Sequence, residues 1–359
     1  MNFVKIFLAI FAANVFFSNI AECSTLMKKL PVEVTDTGGT LIFSDSPEYV
    51  KQDGILYSDA VQGDVRIFFY HLNESDAPKK IAVVVEDTSG KNNTLRITRK
   101  TFPAPSPDYL SVGKAAQIAY MQSDFRDTLK LAPRERKILQ EEMNTTTLEP
   151  GQLTYGVYDF HADKTVRVYI LMCPKESDPV TFVNSAEILP KDEQRLRGTF
   201  KNMNRVIRLK NTYKPSDGLG YVLIGDDVND LFKKGIDATD GSAVVNAGNY
   251  GINYTLEFRT KSLTRFYLSP LGGIYAGAVR FKNGKKFGMI PTPAGRIFFG
   301  EKTPPESEEV RLAREEGIAF LTKQLELEEL GDFEGKIFFE YSPPGASNLP
   351  VHFILMPVN

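Results

Sequence analysis

Apolar residues at every second position constrain this chain more than any other feature. Successive side chains of a β-strand point to opposite faces, so a period of two marks a segment with one face in a core and one in water. Ile252, Tyr254, Leu256 and Phe258 alternate with Asn253, Thr255, Glu257 and Arg259. Leu95 and Ile97 alternate with Arg96 and Thr98, and the pattern recurs over residues 205–210 (RVIRLK). Residues 81–85 (IAVVV) and 166–173 (VRVYILMC) are instead apolar on both faces, as central strands covered on both sides are. Asn283-Gly284 between two such runs predicts a hairpin, because the pair supplies the positive φ a tight turn needs. A second hairpin is expected where residues 153–160 (LTYGVYDF) meet residues 166–173, with residues 161–164 (HADK) as the turn. Short strands broken by Gly, Pro and Asn predict antiparallel sandwiches and exclude a parallel α/β sheet.

The expected fold is therefore mainly β, two antiparallel β-sandwich domains of Ig-like or jelly-roll-like type with one or two short helices. The clearest helix signal has Ser106 as N-cap and Pro107 at the first helical position, with Tyr109, Val112, Ala116 and Ala119 or Tyr120 at helical spacing up to Ser123. Residues 305–316 (PESEEVRLAREE) form a second, more polar candidate. A chain of 359 residues suggests about two domains. The strongest breaks lie at residues 174–179 (PKESDP) and 189–192 (LPKD), which divides the chain into 1–23, 24–190 and 191–359. No internal repeat is visible by eye.

Residues 1–23 have the form of a secretory signal peptide. Lys5 precedes the apolar run 6–17 (IFLAIFAANVFF), which is short of the roughly 20 residues a spanning helix needs. Cleavage is expected after Ala21 or after Cys23, and a lipidated Cys23 is disfavoured by the Glu22 before it. The protein is thus expected outside the cytoplasm, secreted or in the cell envelope, with no integral span after cleavage. With only Cys23 and Cys173 there is no disulfide framework, and Cys173, ending an apolar run, reads as a buried small hydrophobe. The 43 Lys and Arg against 45 Asp and Glu leave a net charge of -2, which gives no global attraction to nucleic acid or anionic lipid.

Several segments carry a resemblance: residues 46–57 (SPEYVKQDGILY), 106–115 (SPDYLSVGKA), 151–159 (GQLTYGVYD), 195–200 (RLRGTF), 237–250 (DATDGSAVVNAGNY) and 342–351 (SPPGASNLPV). Together they resemble a family of uncharacterised secreted bacterial proteins, many labelled after a copper amine oxidase-like amino-terminal domain. The motif of that stalk-like domain is not present here. Amine oxidase chemistry also needs several His ligands for copper, and His71, His161 and His352 are far apart in sequence, with no His-x-His motif.

The densest carboxylate stretch is Asp226, Asp227, Asp230, Asp237 and Asp240, hard oxygen ligands that could hold Ca²⁺ on a loop. Its spacing departs from the EF-hand, and Asp and Gly are ordinary turn formers, so a plain loop is the competing reading. No Gly-x-Ser-x-Gly elbow and no P-loop is present. Tyr155, Tyr158, Tyr169, Tyr254, Tyr267 and Tyr275 include candidates for a stacking platform, although most are expected in cores, and the absence of Trp weakens a glycan reading. The leading expectation is a non-catalytic binding or structural module, its partner a cell-envelope polysaccharide or a surface protein. The alternative is a secreted carbohydrate-active hydrolase, which would hold two carboxyls across a cleft.

Overall fold

The computed structural model describes residues 25–295, 319–321 and 327–358. The expected signal segment with Cys23 and the candidate helix 305–316 lie outside the described residues. The fold is mainly β, two large sheets packed face to face. Strands Thr40–Ser44, Gly54–Asn73, Lys79–Asp87, Asn93–Thr101 and Leu153–Pro174 form the heart of the first sheet. Strands Asn204–Leu209, Asn253–Pro270, Gly277–Asn283, Glu328–Tyr341 and Val351–Pro357 form that of the second. Both sheets are mixed and not purely antiparallel: Thr40–Ser44 runs parallel to Gly54–Asn73, and Asn204–Leu209 parallel to Asn253–Pro270.

A single bent ribbon ties the sheets together. In the second sheet Asp36 pairs with Arg205 and Thr37 with Asn204, while in the first Thr40 pairs with Lys201 and Leu41 with Phe200. The register is the same on both sides, so one antiparallel ladder passes from sheet to sheet at Gly38-Gly39 and Asn202-Met203. Gly38 and Asn202 both have positive φ at this corner, and Met203 N donates to Gly39 O at 2.9 Å. A Cβ on Gly39 would sit 1.8 Å from the Asp64 carbonyl oxygen, so only glycine fits the crossing.

The ribbon exposes a repeat of topology. One sheet contains the order Arg197–Lys201, Thr40–Ser44, Gly54–Asn73, Leu153–Pro174, Asn93–Thr101, Asp127–Leu131. The other contains Val32–Thr37, Asn204–Leu209, Asn253–Pro270, Glu328–Tyr341, Gly277–Asn283, Lys286–Thr292, with the same succession of parallel and antiparallel neighbours. Strands Val32–Thr37 and Arg197–Lys201 are exchanged, each lying in the sheet built by the other half. The expected division near residue 190 falls between these two units, yet neither sheet is built from one side of it alone: Thr25–Lys29 and Val32–Thr37 belong to the second sheet, Arg197–Lys201, Lys233–Asp237 and Ser242–Asn246 to the first.

Alternation predicts burial well. Ile252, Tyr254, Leu256 and Phe258 are all buried against the core between the sheets, and Leu95 and Ile97 are buried while Arg96 and Thr98 are exposed. That core is aromatic: Phe68 meets Tyr155 edge-on at 5.0 Å, and Phe258 meets Phe266 at 5.3 Å. A second core lies on the other face of the first sheet. Residues 81–85 are buried on both faces because the single-turn helices Glu142–Thr145 and Pro179–Phe182 pack over this strand. Cys173 is buried there, with burial pushing its thiol up to about 11, an inert group as expected.

Three local expectations need correction. Residues 161–164 do not turn the chain: Leu153–Pro174 is one 22-residue strand paired along Gly54–Asn73, and the extra residues between Ala162 and Val166 are absorbed as a bulge. The helix Tyr109–Gln122 is capped by Asp108, whose carboxylate accepts from Ser111 N at 3.2 Å; Ser106 instead accepts from Asp108 N. In the hairpin, Asn283 pairs with Lys286, so Gly284 and Lys285 make the turn, with Gly284 at φ 60°.

Candidate functional site

The five aspartates singled out from sequence divide between two places. Asp226 Oδ1 accepts the backbone N–H groups of Asn229 and Asp230 at 2.9 and 2.8 Å, and Asp227 accepts that of Phe232. Asp230 is buried, where it binds Arg205, the Gly225 N–H at 2.8 Å and the Tyr254 hydroxyl at 2.7 Å. Asp237 and Asp240 sit on the hairpin that follows, Asp237 bound to Arg197 at 2.9 Å and Asp240 to Lys191 at 2.6 Å. Burial raises the Asp237 pKa, but hydrogen bonds from Thr239 and Arg197 outweigh it and hold the carboxyl below its usual range. Each acid is therefore taken up by the protein's own donors. Among the described residues no group of three or more His, Cys, Asp or Glu is placed to hold a metal ion.

The tyrosines behave as core residues. Tyr155, Tyr158, Tyr254 and Tyr275 are buried, and the half-buried Tyr169 donates to Glu86 at 2.7 Å. The histidines are likewise apart: His161 is bound to Asp64, His352 stacks edge-on against Tyr221, and His71 is fully buried.

His71 supports the loop 45–48, which borders a cleft. Pro47 O can only accept, so His71 Nδ1 carries the proton and donates to it at 2.8 Å; Nε2 then accepts from Ser44 Oγ at 2.9 Å. Burial, opposed in part by the Pro47 bond, lowers the His71 pKa from 6.5 to about 4. The imidazole is a neutral strut beneath residues 45–48. Ser44 and His71 are both wholly buried, so their contact is no nucleophile and base pair open to substrate. Asp192 holds the same loop from the other side. Its carboxylate accepts from Ser46 Oγ at 2.8 Å, Glu48 N at 2.9 Å and Arg195 N at 3.0 Å.

Above this strut lies a cleft of about 340 Å³. Asp45 and Glu48 line it together with Phe68, Tyr70 and Tyr250, and the turn 345–348 contributes backbone and small side chains. The Tyr250 hydroxyl donates to Ser347 O at 2.6 Å, which fixes ring and turn to each other. Asp45 Oδ1 is out of contact with solvent and has no hydrogen-bond partner. Burial, with Glu48 and Asp192 adding negative charge, pushes the Asp45 carboxyl well above the usual range, and burial with Asp192 also raises Glu48. Ionising a carboxyl in this position costs free energy that the surrounding protein does not offset with a donor to Oδ1.

A larger groove of about 490 Å³ lies on the second sheet among Arg280, Lys282, Phe287, Phe338 and Glu340. Glu340 is already paired with Arg99 at 2.8 Å and Arg280 at 3.4 Å, part of a network that runs from Arg99 over the Tyr120 ring to Asp159 and Arg66. That network joins the two sheets and the helix, a structural role.

Sequence reasoning missed Asp45 and Glu48 because two acids among 45 carry no mark of their own. The lining is drawn from distant stretches of the chain, with residues from 45–48, 68–70, 194–196, 250 and 345–348. No family model matches the chain, and no curated protein matches it. Among solved structures it is similar to the CUB1-EGF-CUB2 domain of human MASP-1/3, at 10% identity over 91% of this chain and 99% of that one. The TM-score is 0.17, too low for that likeness to carry an argument.

Proposed function

We propose that the protein is an exported, non-catalytic binding module, secreted or held in the cell envelope, whose ligand enters the cleft at Asp45. The observation that carries this reading is a cleft whose lining sets two carboxyls, Asp45 and Glu48, beside aromatic rings and holds no cation to pair with them. The volume, about 340 Å³, lies at the small end of ligand sites, and its walls combine aromatic rings with the polar side chains of Asp45, Glu48, Gln194, Ser347 and Asn348. Export rests on the signal-like residues 1–23 and on no feature of the cleft.

The hydrolase alternative is the weaker reading. Two catalytic carboxyls flank a glycosidic bond from opposite sides. Here Asp45 and Glu48 come from one loop, three residues apart, and the rest of the lining carries no carboxyl. The test is thermal unfolding with envelope polysaccharides and with peptides, on the wild type and on Gln194→Trp, which fills the mouth from an exposed position of the lining. A ligand of the cleft raises the wild-type midpoint, by about 2.7 kcal/mol of stability at a hundredfold excess over Kd, and leaves the variant unmoved. No cleft-dependent shift with any probe overturns the binding reading, and release of new reducing ends from a polysaccharide would favour the hydrolase.

A further inference from the structure

We infer that the cleft at Asp45 receives an organic cation, an ammonium or guanidinium group on a slim aliphatic stem such as a lysine or arginine side chain presents. The inference rests on the reading of the cleft as a ligand site and names the chemistry that fits it. Its lining holds two carboxyls and three aromatic rings, and no Lys, Arg or His. Of the cations nearby along the chain, Lys191, Arg197 and Lys51 are committed elsewhere, and Arg195, between Gln194 and Leu196, is exposed and stands outside the lining. Lys191 binds Asp237 and Asp240, and Arg197 binds Asp237 and the carbonyls of Ser46, Leu56 and Leu189. Lys51 pairs on the surface with Glu74.

The local donors are spent on a different acid. Asp192 takes the Ser46 hydroxyl and two backbone N–H groups, which anchors the loop and leaves Asp45 and Glu48 facing the cleft without a counter-charge. An ammonium brings three N–H donors and a guanidinium five, and their bonds to carboxylate are charge-assisted. Phe68, Tyr70 and Tyr250 are among the lining residues, and a cation that meets an aromatic face gains further attraction. Tyr250 is held in place by its bond to Ser347 O, so the wall is formed before ligand arrives. A bare metal ion is the wrong occupant, because the acids here do not converge as a ligand set. A neutral ligand would leave the two acids of the lining without a compensating charge.

The experiment is isothermal titration of the full-length protein with N-acetyl-arginine amide, N-acetyl-lysine amide, cadaverine and the neutral N-acetyl-citrulline amide. The amides stand for side chains of a protein partner and cadaverine for a free amine. Expected are binding of the cations, none of the citrulline probe, and at least a roughly tenfold loss of cation affinity in Asp45→Asn. Gln194→Trp blocks the same binding, and circular dichroism shows both variants folded. Citrulline bound as well as arginine, cation affinity unchanged in Asp45→Asn, or no cation bound at millimolar concentration each overturns the inference. Of these, a neutral probe that binds and is displaced by Gln194→Trp leaves the cleft a binding site and removes only its cationic specificity; failure of every probe class removes both.

Discussion

Lowering the pH from 7 to 4 should cost this protein about 3 kcal/mol through His71 alone. The imidazole is fully buried, donates to Pro47 O and accepts from Ser44, and its pKa lies at about 4 against 6.5 in a solvated chain. Between those values the unfolded chain binds a proton that the native state refuses, so stability falls as pH falls and is complete again only above the unfolded value. At about 1.36 kcal/mol per tenfold in proton affinity, the displacement amounts to about 3 kcal/mol by pH 4. Asp45 and Glu48 are displaced upward and contribute with opposite sign, lost as pH rises, so a single pH profile mixes the terms. The assay is therefore a difference: urea unfolding of wild type and His71→Gln at intervals from pH 7 to 4. The wild type should lose about 3 kcal/mol more than the variant, and its His71 ring should titrate near 4 by NMR. Parallel profiles, or a His71 ring that titrates near 6.5, would refute the reasoning.

Other consequences can be checked by chemical unfolding. Gly39→Ala should cost at least about 2 kcal/mol, because its Cβ overlaps the Asp64 carbonyl, while Gly63→Ala, with open space at φ 77°, should cost about 1. Arg66→Met strands the buried Asp159 and should cost about 3–5 kcal/mol, most of it recovered in Arg66→Met with Asp159→Leu. Asp230→Asn weakens the bonds to Arg205, Gly225 N and Tyr254 and should cost about 2–3 kcal/mol, with added Ca²⁺ leaving both wild type and variant unmoved.

Strands were legible here wherever one face is dry. The run 252–259 specifies its own burial, and residues 81–85 declare a strand covered on both sides before the helices that cover it are known. What alternation cannot state is which strand pairs with which. The exchange of Val32–Thr37 and Arg197–Lys201 depends on register across Gly38-Gly39, between residues about 160 apart in sequence. Residues 161–164 look like a turn in sequence, because polar residues in an apolar pattern look alike whether the chain reverses or, as here between Ala162 and Val166, only loses a step of register. The candidate site escaped for a related reason. Asp226 to Asp240 drew attention by density, yet every one of them finds a donor, whereas Asp45 matters because it finds none, a property of the folded surroundings and not of the residue.

Side-by-side thermal unfolding of wild type and Asp45→Asn at pH 7 tests the central claim most directly. If the Asp45 carboxyl serves a ligand and not the fold, the neutral isostere removes the cost of an acid that burial and its acidic neighbours disfavour as an ion, and the variant melts higher than the wild type while circular dichroism stays unchanged. A variant that melts lower would mean that the carboxylate is engaged in holding the native structure, and the cleft would lose its claim to be a site.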